Sequence, residues 1–174
     1  MKYRFPLALG AAAAASFVAM PAQAHDHAKS SQQRGCQAVT KAQVEAQFGR
    51  FNQAWATRNP DTVTKLFSRG AVLLPTVSNT PRTDYAGIRD YFVSFLKAQP
   101  VGKIDSSNVR LGCNTASRTG TWTVSLTDPT TRQARDVKAR YSFIYVYENG
   151  EWKIDHLHSS MMPEQTTQTA TSAK

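Results

Sequence analysis

The sequence predicts an α+β domain in which three N-terminal helices pack on one side of a curved antiparallel sheet. Two observations support this fold class. Helix-start signals and apolar stripes at helical spacing occur between residues 40 and 100, whereas residues 107–160 read as strands separated by turn residues. A sheet with one apolar side must be covered, and the three helices supply that cover. A twisted sheet wrapped around helices predicts a cone with an interior cavity.

The first helix is predicted to begin at Thr40. Thr40 and Gln43 have the spacing of a capping box, and Val39 and Val44 stand at the positions of a hydrophobic staple. One apolar stripe then recurs at helical spacing. Its members are Val44, Phe48, Phe51 and Trp55.

The second helix is predicted to begin at Asn59-Pro60, where a capping residue precedes a proline suited to the first turn. Gly70 is expected to end this helix. Its buried side is expected to hold Val63, Leu66 and Phe67. A short strand is predicted over Ala71–Leu74, because Pro75 stops it.

The third helix is predicted to begin near Thr83 or Asp84 and to be closed by Pro100. Its broad apolar side contains Ile88, Tyr91, Phe92, Phe95 and Leu96. Turn signals at Asp128-Pro129 and Asn149-Gly150 divide the C-terminal part of the chain into strands. The predicted strands are Ser107–Cys113, Ser117–Thr127, Val137–Glu148 and Glu151–Ser160.

The first 24 residues have the pattern of a secretory signal peptide. Lys2 and Arg4 precede an apolar stretch over Leu7–Met20, and Ala22-Gln23-Ala24 has the form of a cleavage site. We therefore expect a periplasmic or secreted protein, the alternative being an uncleaved anchor. The expected organisation is a signal peptide over 1–24, a flexible leader over 25–38, one domain over 39–163 and a disordered tail over 164–174.

The charge of the chain indicates solubility rather than a nucleic-acid partner. Removal of Lys2 and Arg4 with the signal peptide lowers the formal net charge from +9 to +7. The remaining Lys and Arg residues are scattered, and no aromatic-interleaved basic strip occurs. We expect no nucleic-acid partner, and no membrane association once the signal peptide is cleaved.

Cys36 and Cys113 are the two cysteines of the chain. An even number of cysteines in an exported protein favours a disulfide. The alternative is two separate buried thiols.

The Asn149-Gly150 turn fixes an expected register for the last hairpin, because a two-residue loop places Glu148 opposite Glu151. With regular pairing, Phe143 opposes His156 and Tyr141 opposes His158. The face predicted to line the cavity then carries Tyr141, Phe143, Tyr145, Tyr147, Trp152, Ile154, His156 and His158. The other face carries Asp155 and an apolar patch suited to a dimer contact, formed by Ile144, Val146 and Leu157.

The C-terminal stretch YSFIYVYENGEWKIDHLHSSMMPE, after the helix pair FNQAWATRNPDTVTKLF, resembles the association domain of calcium/calmodulin-dependent protein kinase II. It is equally similar to bacterial SnoaL-like proteins of the same nuclear transport factor 2-like superfamily. The likeness covers residues 40–163. Its most specific part is W-x-I-x-H-x-H-x-S, met here by Trp152, Ile154, His156, His158 and Ser160.

This resemblance implies a nuclear transport factor 2-like cone that self-associates through its sheet and encloses a pocket. In the kinase, arginines contribute to the pocket; Phe143 stands at one such place here, which implies a more apolar pocket. The chain shows neither a kinase domain nor a calmodulin-binding segment, so neither phosphorylation nor calmodulin binding is expected of it.

The sequence supports three hypotheses on function. The first is an exported homodimer or larger oligomer that holds a small, partly apolar molecule without a cofactor; its pocket residues would be Trp55, Tyr91, Tyr141, Phe143, His156 and His158. The second is a SnoaL-like isomerase, cyclase or dehydratase that uses His158 and Tyr141 as acid and base. The third is a pure scaffold, whose cavity is filled by its own side chains.

The histidines suggest two places for a metal ion. His156 and His158 emerge on one side of a strand, but no third ligand obviously joins that face, so no metal is expected there. Cleavage after Ala24 would expose His25-Asp26-His27, whose terminal amine, amides and third-position imidazole suit Cu(II) or Ni(II). The simpler alternative is a mobile polar leader.

Overall fold

The computed structural model describes residues 35, 36 and 38–163, and all of them belong to one compact unit. The predicted signal peptide, most of the leader with His25 and His27, and the tail lie outside the described residues. The three α-helices are α1 Lys41–Ala56, α2 Pro60–Thr64 and α3 Tyr85–Phe95. The strands are β1 Phe67–Leu74, β2 Val101–Ile104, β3 Asn108–Leu111, β4 Thr115–Thr127, β5 Ala134–Glu148 and β6 Glu151–Met161.

The predicted helix starts are confirmed by their capping hydrogen bonds. The backbone N–H of Gln43 donates to the Thr40 hydroxyl, and the Gln43 side chain accepts from the Thr40 N–H, which completes the capping box. Asn59 caps α2 in the same manner through its side-chain oxygen. At α3, the Asp84 carboxylate accepts from the Gly87 N–H at 2.7 Å. These ends depend on local chemistry and could be predicted from the sequence.

The boundary between α2 and β1 differs from the prediction. Helix α2 ends at Thr64, and β1 begins at Phe67, before Gly70. The cause is parallel pairing with β6: the Ile154 N–H donates to the Leu66 carbonyl at 2.8 Å, and Phe67 is the register partner of Ile154. Tertiary pairing therefore overrides the helical pattern at these residues.

The short strand β2, which pairs with β4 at the edge of the sheet, was not predicted from the sequence. Its position is fixed by Asn52 of α1. The Asn52 amide donates to the Gly102 carbonyl at 2.6 Å and accepts from the Gly102 N–H at 2.9 Å. A Cβ at residue 102 would lie 2.8 Å from the Phe48 ring, so glycine permits this close contact.

The described residues form one six-stranded sheet in the order β1-β6-β5-β4-β2, with β3 pairing with β4 beside β2. β1 runs parallel to β6, and the other pairings are antiparallel. The core lies between the helices and one face of the sheet, here called the inner face; the opposite one is the outer face. The predicted α+β architecture of helices packed on an antiparallel sheet is confirmed.

The last hairpin begins as predicted and then changes register. Asn149 and Gly150 have φ values of 52° and 85°, and Tyr145 pairs with Ile154 as expected. A bulge at Asp155 then shifts the pairing, so that Ile144 opposes His156.

The predicted pairing beyond this point is wrong: Phe143 opposes Leu157 rather than His156, and Tyr141 opposes Ser159 rather than His158. Leu157 and Ser159 are consequently buried on the inner face. Both histidines lie on the outer face. The physical reason is that the shift buries a leucine, leaves the His158 imidazole exposed and keeps the His156 imidazole only half-buried.

The predicted disulfide between Cys36 and Cys113 is present, with a Cα–Cα distance of 4.8 Å. It ties the segment before α1 to the turn between β3 and β4, and it excludes the alternative of two separate thiols. Among the described residues, no helix is both long and apolar enough to cross a membrane.

Candidate functional site

The inner face of the sheet is packed with aromatic rings. Phe143 lies at the centre: its ring stacks on Tyr145 at a centroid distance of 5.6 Å and meets Phe51 edge-on, also at 5.6 Å. Trp122 packs against Phe143 at 5.9 Å. These contacts make the predicted aromatic face a solid core, as the scaffold hypothesis expects, rather than the wall of a large chamber.

The space left inside the core is a narrow slot beside α3. Its volume is about 20 Å³, which is room for about one water molecule. The lining residues, among which there is no charged side chain or histidine, are Phe51, Trp55, Leu73, Pro75, Thr76, Val77, Tyr91, Phe92, Phe95, Trp122, Val124, Leu126, Val137, Leu157 and Ser159.

The polar atoms of the slot are few and mostly paired. The Trp122 indole N–H donates to the Ser159 hydroxyl at 3.0 Å, and the Thr76 hydroxyl donates to the same oxygen at 2.5 Å. The buried indole N–H of Trp55 has no hydrogen-bond partner among the residues that the structure describes. Burial raises the pKa of Tyr91, and nearby Arg82 offsets this only in part, so its phenol stays protonated.

The predicted ligand residues are divided between different places. Trp55 and Tyr91 line the slot. Tyr141 and Phe143 are buried in the aromatic core, where the Tyr141 hydroxyl donates to the Ser106 carbonyl at 2.9 Å. His156 and His158 do not join them.

The two histidines lie on the outer face because of the Asp155 bulge. His158 is exposed and His156 is half-buried. Desolvation lowers the pKa of His156 and neighbouring His158 lowers it further, while Asp155 opposes both effects. His158 and Tyr141 therefore point to opposite sides of the sheet, and the acid–base pairing predicted for them within one chain is wrong. Among the described residues, no group of three metal-ligating side chains is found.

A second concavity, here called the mouth groove, adjoins the slot. Its volume is about 360 Å³. It shares four residues with the slot: Val77, Tyr91, Phe95 and Leu126. Its charged members are Arg82, Asp90 and Arg135. This groove was not predicted from the sequence, because its residues come from the loop after β1, from α3 and the turn after it, and from the paired ends of β4 and β5.

The outer face carries a strip of uncharged residues across four strands, here called the outer strip. One row pairs Val72 with His156, His156 with Ile144, and Ile144 with Ser117. The next row pairs Leu74 with His158, His158 with Ser142, and Ser142 with Thr119. Ile144 is 41% exposed. Leu157, predicted for this face, is buried on the other.

One buried charge was also missed. Arg118 is 6% exposed on the inner face of β4. Its guanidinium donates to the Ser107 hydroxyl at 2.9 Å and to the Glu45 carbonyl at 3.0 Å, and it lies 5.7 Å from the centre of the Phe48 ring. Neutral acceptors and a ring face therefore satisfy this charge, which holds α1 on the sheet.

The chain matches known proteins over this whole domain. The profile of the family described as calcium/calmodulin dependent protein kinase II association domain matches residues 40–163. A solved structure from Xanthomonas campestris, assigned to the same association domain, is 41% identical and has a TM-score of 0.69; the match covers 75% of this chain and 96% of that one.

Two more distant structures share the fold. The association domain of the kinase from C. elegans is 18% identical with a TM-score of 0.57, over 69% of this chain and 87% of that chain. A nuclear transport factor 2-like superfamily protein from Salmonella enterica is 15% identical with a TM-score of 0.63, over 74% and 94%. Among curated proteins, none matches the chain.

Proposed function

Because the chain belongs to the calcium/calmodulin dependent protein kinase II association domain family, we propose that it is an exported, self-associating module that holds a small molecule and has no kinase activity of its own. Self-association through the outer strip is the central part of this proposal. The domain fold is nuclear transport factor 2-like, with a helix-covered inner face and an outer face free to meet a second copy.

The observation that carries the proposal is the lack of charge in the outer strip. Across β1, β6, β5 and β4 its two rows contain no Lys, Arg, Asp or Glu, and the first charged register partner is Arg110 of β3, opposite Ser117. In a symmetric dimer the same patch meets itself, so a basic patch would repel its copy. Aliphatic and hydroxyl side chains avoid that repulsion and can be buried at low cost.

Export is supported by two features. The first residues have the pattern of a signal peptide, and the domain contains a disulfide, which persists in oxidising compartments. We propose a periplasmic or secreted location. Mass spectrometry of protein from the periplasmic fraction tests this: a mature chain that begins at His25 is expected, and an intact Met1 terminus in the cytoplasm contradicts it.

Self-association is tested with two substitutions of equally exposed aliphatic residues. Ile144 in the outer strip and Val93 on α3 are each 41% exposed. We expect Ile144→Asp to convert the oligomer to a monomer in light scattering coupled to gel filtration, and Val93→Asp to leave it intact. A wild-type monomer at all concentrations would overturn the proposal, as would an Ile144→Asp variant that associates normally.

The slot contains no described acid or base that favours the enzyme hypothesis, and the mouth groove holds one carboxylate, Asp90, with no imidazole in its lining. The described lining of the slot offers hydroxyl and indole groups but no carboxylate or imidazole to move a proton. The pair expected to supply acid and base lies on opposite faces of the sheet. Binding, rather than turnover, is the function that the geometry supports.

A further inference from the structure

We infer that acidic conditions dissociate the self-associated protein, because His156 and His158 place titratable imidazoles inside the outer strip. This inference rests on the proposed self-association and names how that same contact is regulated. The position of the two histidines carries it, since the bulge at Asp155 turns both of them to the outer face.

The two histidines lie within the outer strip rather than at its border. His156 stands between Val72 and Ile144 in one row, and His158 occupies the same place in the next row. The other members of the strip are aliphatic or carry a hydroxyl, and neither kind of side chain titrates near neutral pH. Protonation of these imidazoles is therefore the change between about pH 8 and pH 5 that brings charge into the strip.

The strands on either side of β6 offer no negative charge to an imidazolium in the strip. The charged residue of β1 is Arg69, whose guanidinium lies 5.0 Å from the centre of the Tyr85 ring. β5 contains no charged residue between Arg140 and Glu148. Arg140 stands opposite Ser160 on the outer face, so the charge closest along that row is positive.

Within β6 itself, the charged neighbours of the histidines are Lys153 and Asp155. Lys153 is paired with Glu151 at 2.6 Å. Asp155 is the carboxylate that His156 senses, and it accepts the Ser68 hydroxyl at 2.7 Å. On the strands described around the strip, one carboxylate that already has a hydrogen bond is the counter-charge for two imidazolium groups.

Contact with a second copy makes the charged form of these histidines still less favourable. In the single chain, desolvation and then the charge of His158 lower the pKa of His156, and Asp155 opposes them. A symmetric contact places the same strip against itself, so it removes more water and brings a second pair of imidazoles into the interface. Both changes favour the neutral imidazole. At low pH the contact must accommodate up to four positive charges.

The direction of the pH dependence follows from linkage. A group whose pKa is lower in the oligomer than in the free chain binds a proton on dissociation, so association weakens as the pH falls through the pKa of the free chain. An unperturbed histidine titrates near about pH 6.5, and the pKa of His156 is lowered, so the loss is expected between about pH 7 and pH 5. One fully linked imidazole in each copy raises the Kd of a dimer by up to about a hundredfold per pH unit.

The test measures the Kd of the oligomer by sedimentation equilibrium at about pH 7.5 and about pH 5.5, which bracket the titration of histidine. The sample is the purified chain, with EDTA present so that no metal ion bridges the imidazoles. We expect the Kd of the wild type to be at least about tenfold higher at the lower pH. Circular dichroism at both pH values checks that the fold persists.

Paired variants assign the effect to the outer strip. The double variant His156→Asn, His158→Asn should change its Kd by less than about threefold between the two pH values, because the strip then has no imidazole to protonate. The matched control is His25→Asn, His27→Asn, which removes two imidazoles that precede the domain in the sequence and should behave as the wild type. The single variants His156→Asn and His158→Asn should each show a smaller change than the wild type.

The outcomes separate this inference from the proposed self-association. A wild-type protein that is monomeric at pH 7.5 at all concentrations refutes both. An oligomer with the same Kd at both pH values refutes the pH response and leaves self-association standing. A wild-type response in the double variant, or dissociation that coincides with loss of the native circular dichroism signal, would place the titrating group elsewhere and refute the assignment to the strip.

Discussion

Replacing Ser159 with alanine tests the register of the last hairpin, on which the placement of every β6 side chain depends. The Ser159 hydroxyl accepts the buried Trp122 indole N–H at 3.0 Å and also meets the Thr76 hydroxyl. Alanine fits the same space but leaves that N–H without a partner. An unpaired buried donor costs about 1–3 kcal/mol. For a domain of this size, each kcal/mol lowers Tm by roughly 3–5 °C.

The matched control is the adjacent residue. Ser160 is half-buried on the outer face opposite Arg140, so Ser160→Ala should change stability by less than about 0.5 kcal/mol. Urea unfolding followed by circular dichroism measures both variants, with a shift in midpoint at constant slope reporting stability. If Ser160→Ala were the costly change and Ser159→Ala the neutral one, the bulge at Asp155 would be absent.

Three further perturbations test other parts of the structure. His156→Asn should reduce the loss of stability from about pH 8 to about pH 5, because a lowered pKa in the folded state lets the unfolded chain take the proton first. Gly120→Ala should destabilise the fold by more than about 2 kcal/mol, because its Cβ would lie 2.1 Å from the backbone carbonyl oxygen of Ser106. Gly49→Ala is the control: its Cβ would meet nothing within 4 Å, and it should stabilise α1 by up to about 1 kcal/mol. Reducing the Cys36–Cys113 disulfide should cost at most about 4.5 kcal/mol by loop entropy.

Each of these three predictions would be contradicted by a specific outcome. Parallel stability curves for wild type and His156→Asn would show that this imidazole keeps its ordinary pKa. Equal midpoints for the two glycine variants in urea would contradict the close approach at residue 120. The Cys36→Ser, Cys113→Ser double variant should be insensitive to reductant; if the wild type were equally insensitive, the disulfide would contribute nothing to stability.

The features that could be predicted from the sequence are those set by neighbours along the chain. The capping box at Thr40 and the Asn149-Gly150 turn are determined within a few residues, and both stand as predicted. The start of β1 at Phe67 depends instead on pairing with Ile154, which is remote in the sequence. Local periodicity contains no information about that pairing.

One feature of the sequence could have predicted that the two histidines face outward. Ile154 and Leu157 are both apolar and stand three residues apart, which a regular strand would place on opposite faces. The prediction assumed regular alternation of faces along both strands. That assumption places the aromatic residues of β5 on one face, and it therefore gave no reason to expect a bulge in β6. The mouth groove could not be predicted in this way, because its lining combines the loop after β1, α3 and the start of β5, which are remote from one another in the sequence.

Approximate energies explain why β6 adopts the bulge. Interrupting the ladder at Asp155 forfeits about one hydrogen bond, worth roughly 0.5–1.5 kcal/mol, and the Asp155 carboxylate accepts the Ser68 hydroxyl at 2.7 Å in partial exchange. Burying Leu157 contributes about 1.5–3 kcal/mol. Pairing the Trp122 N–H with Ser159 avoids a further cost of about 1–3 kcal/mol. Regular pairing would instead desolvate His158 inside an aromatic core. The free energy gained by burying and pairing the β6 side chains therefore exceeds the cost of the interrupted backbone hydrogen bonding.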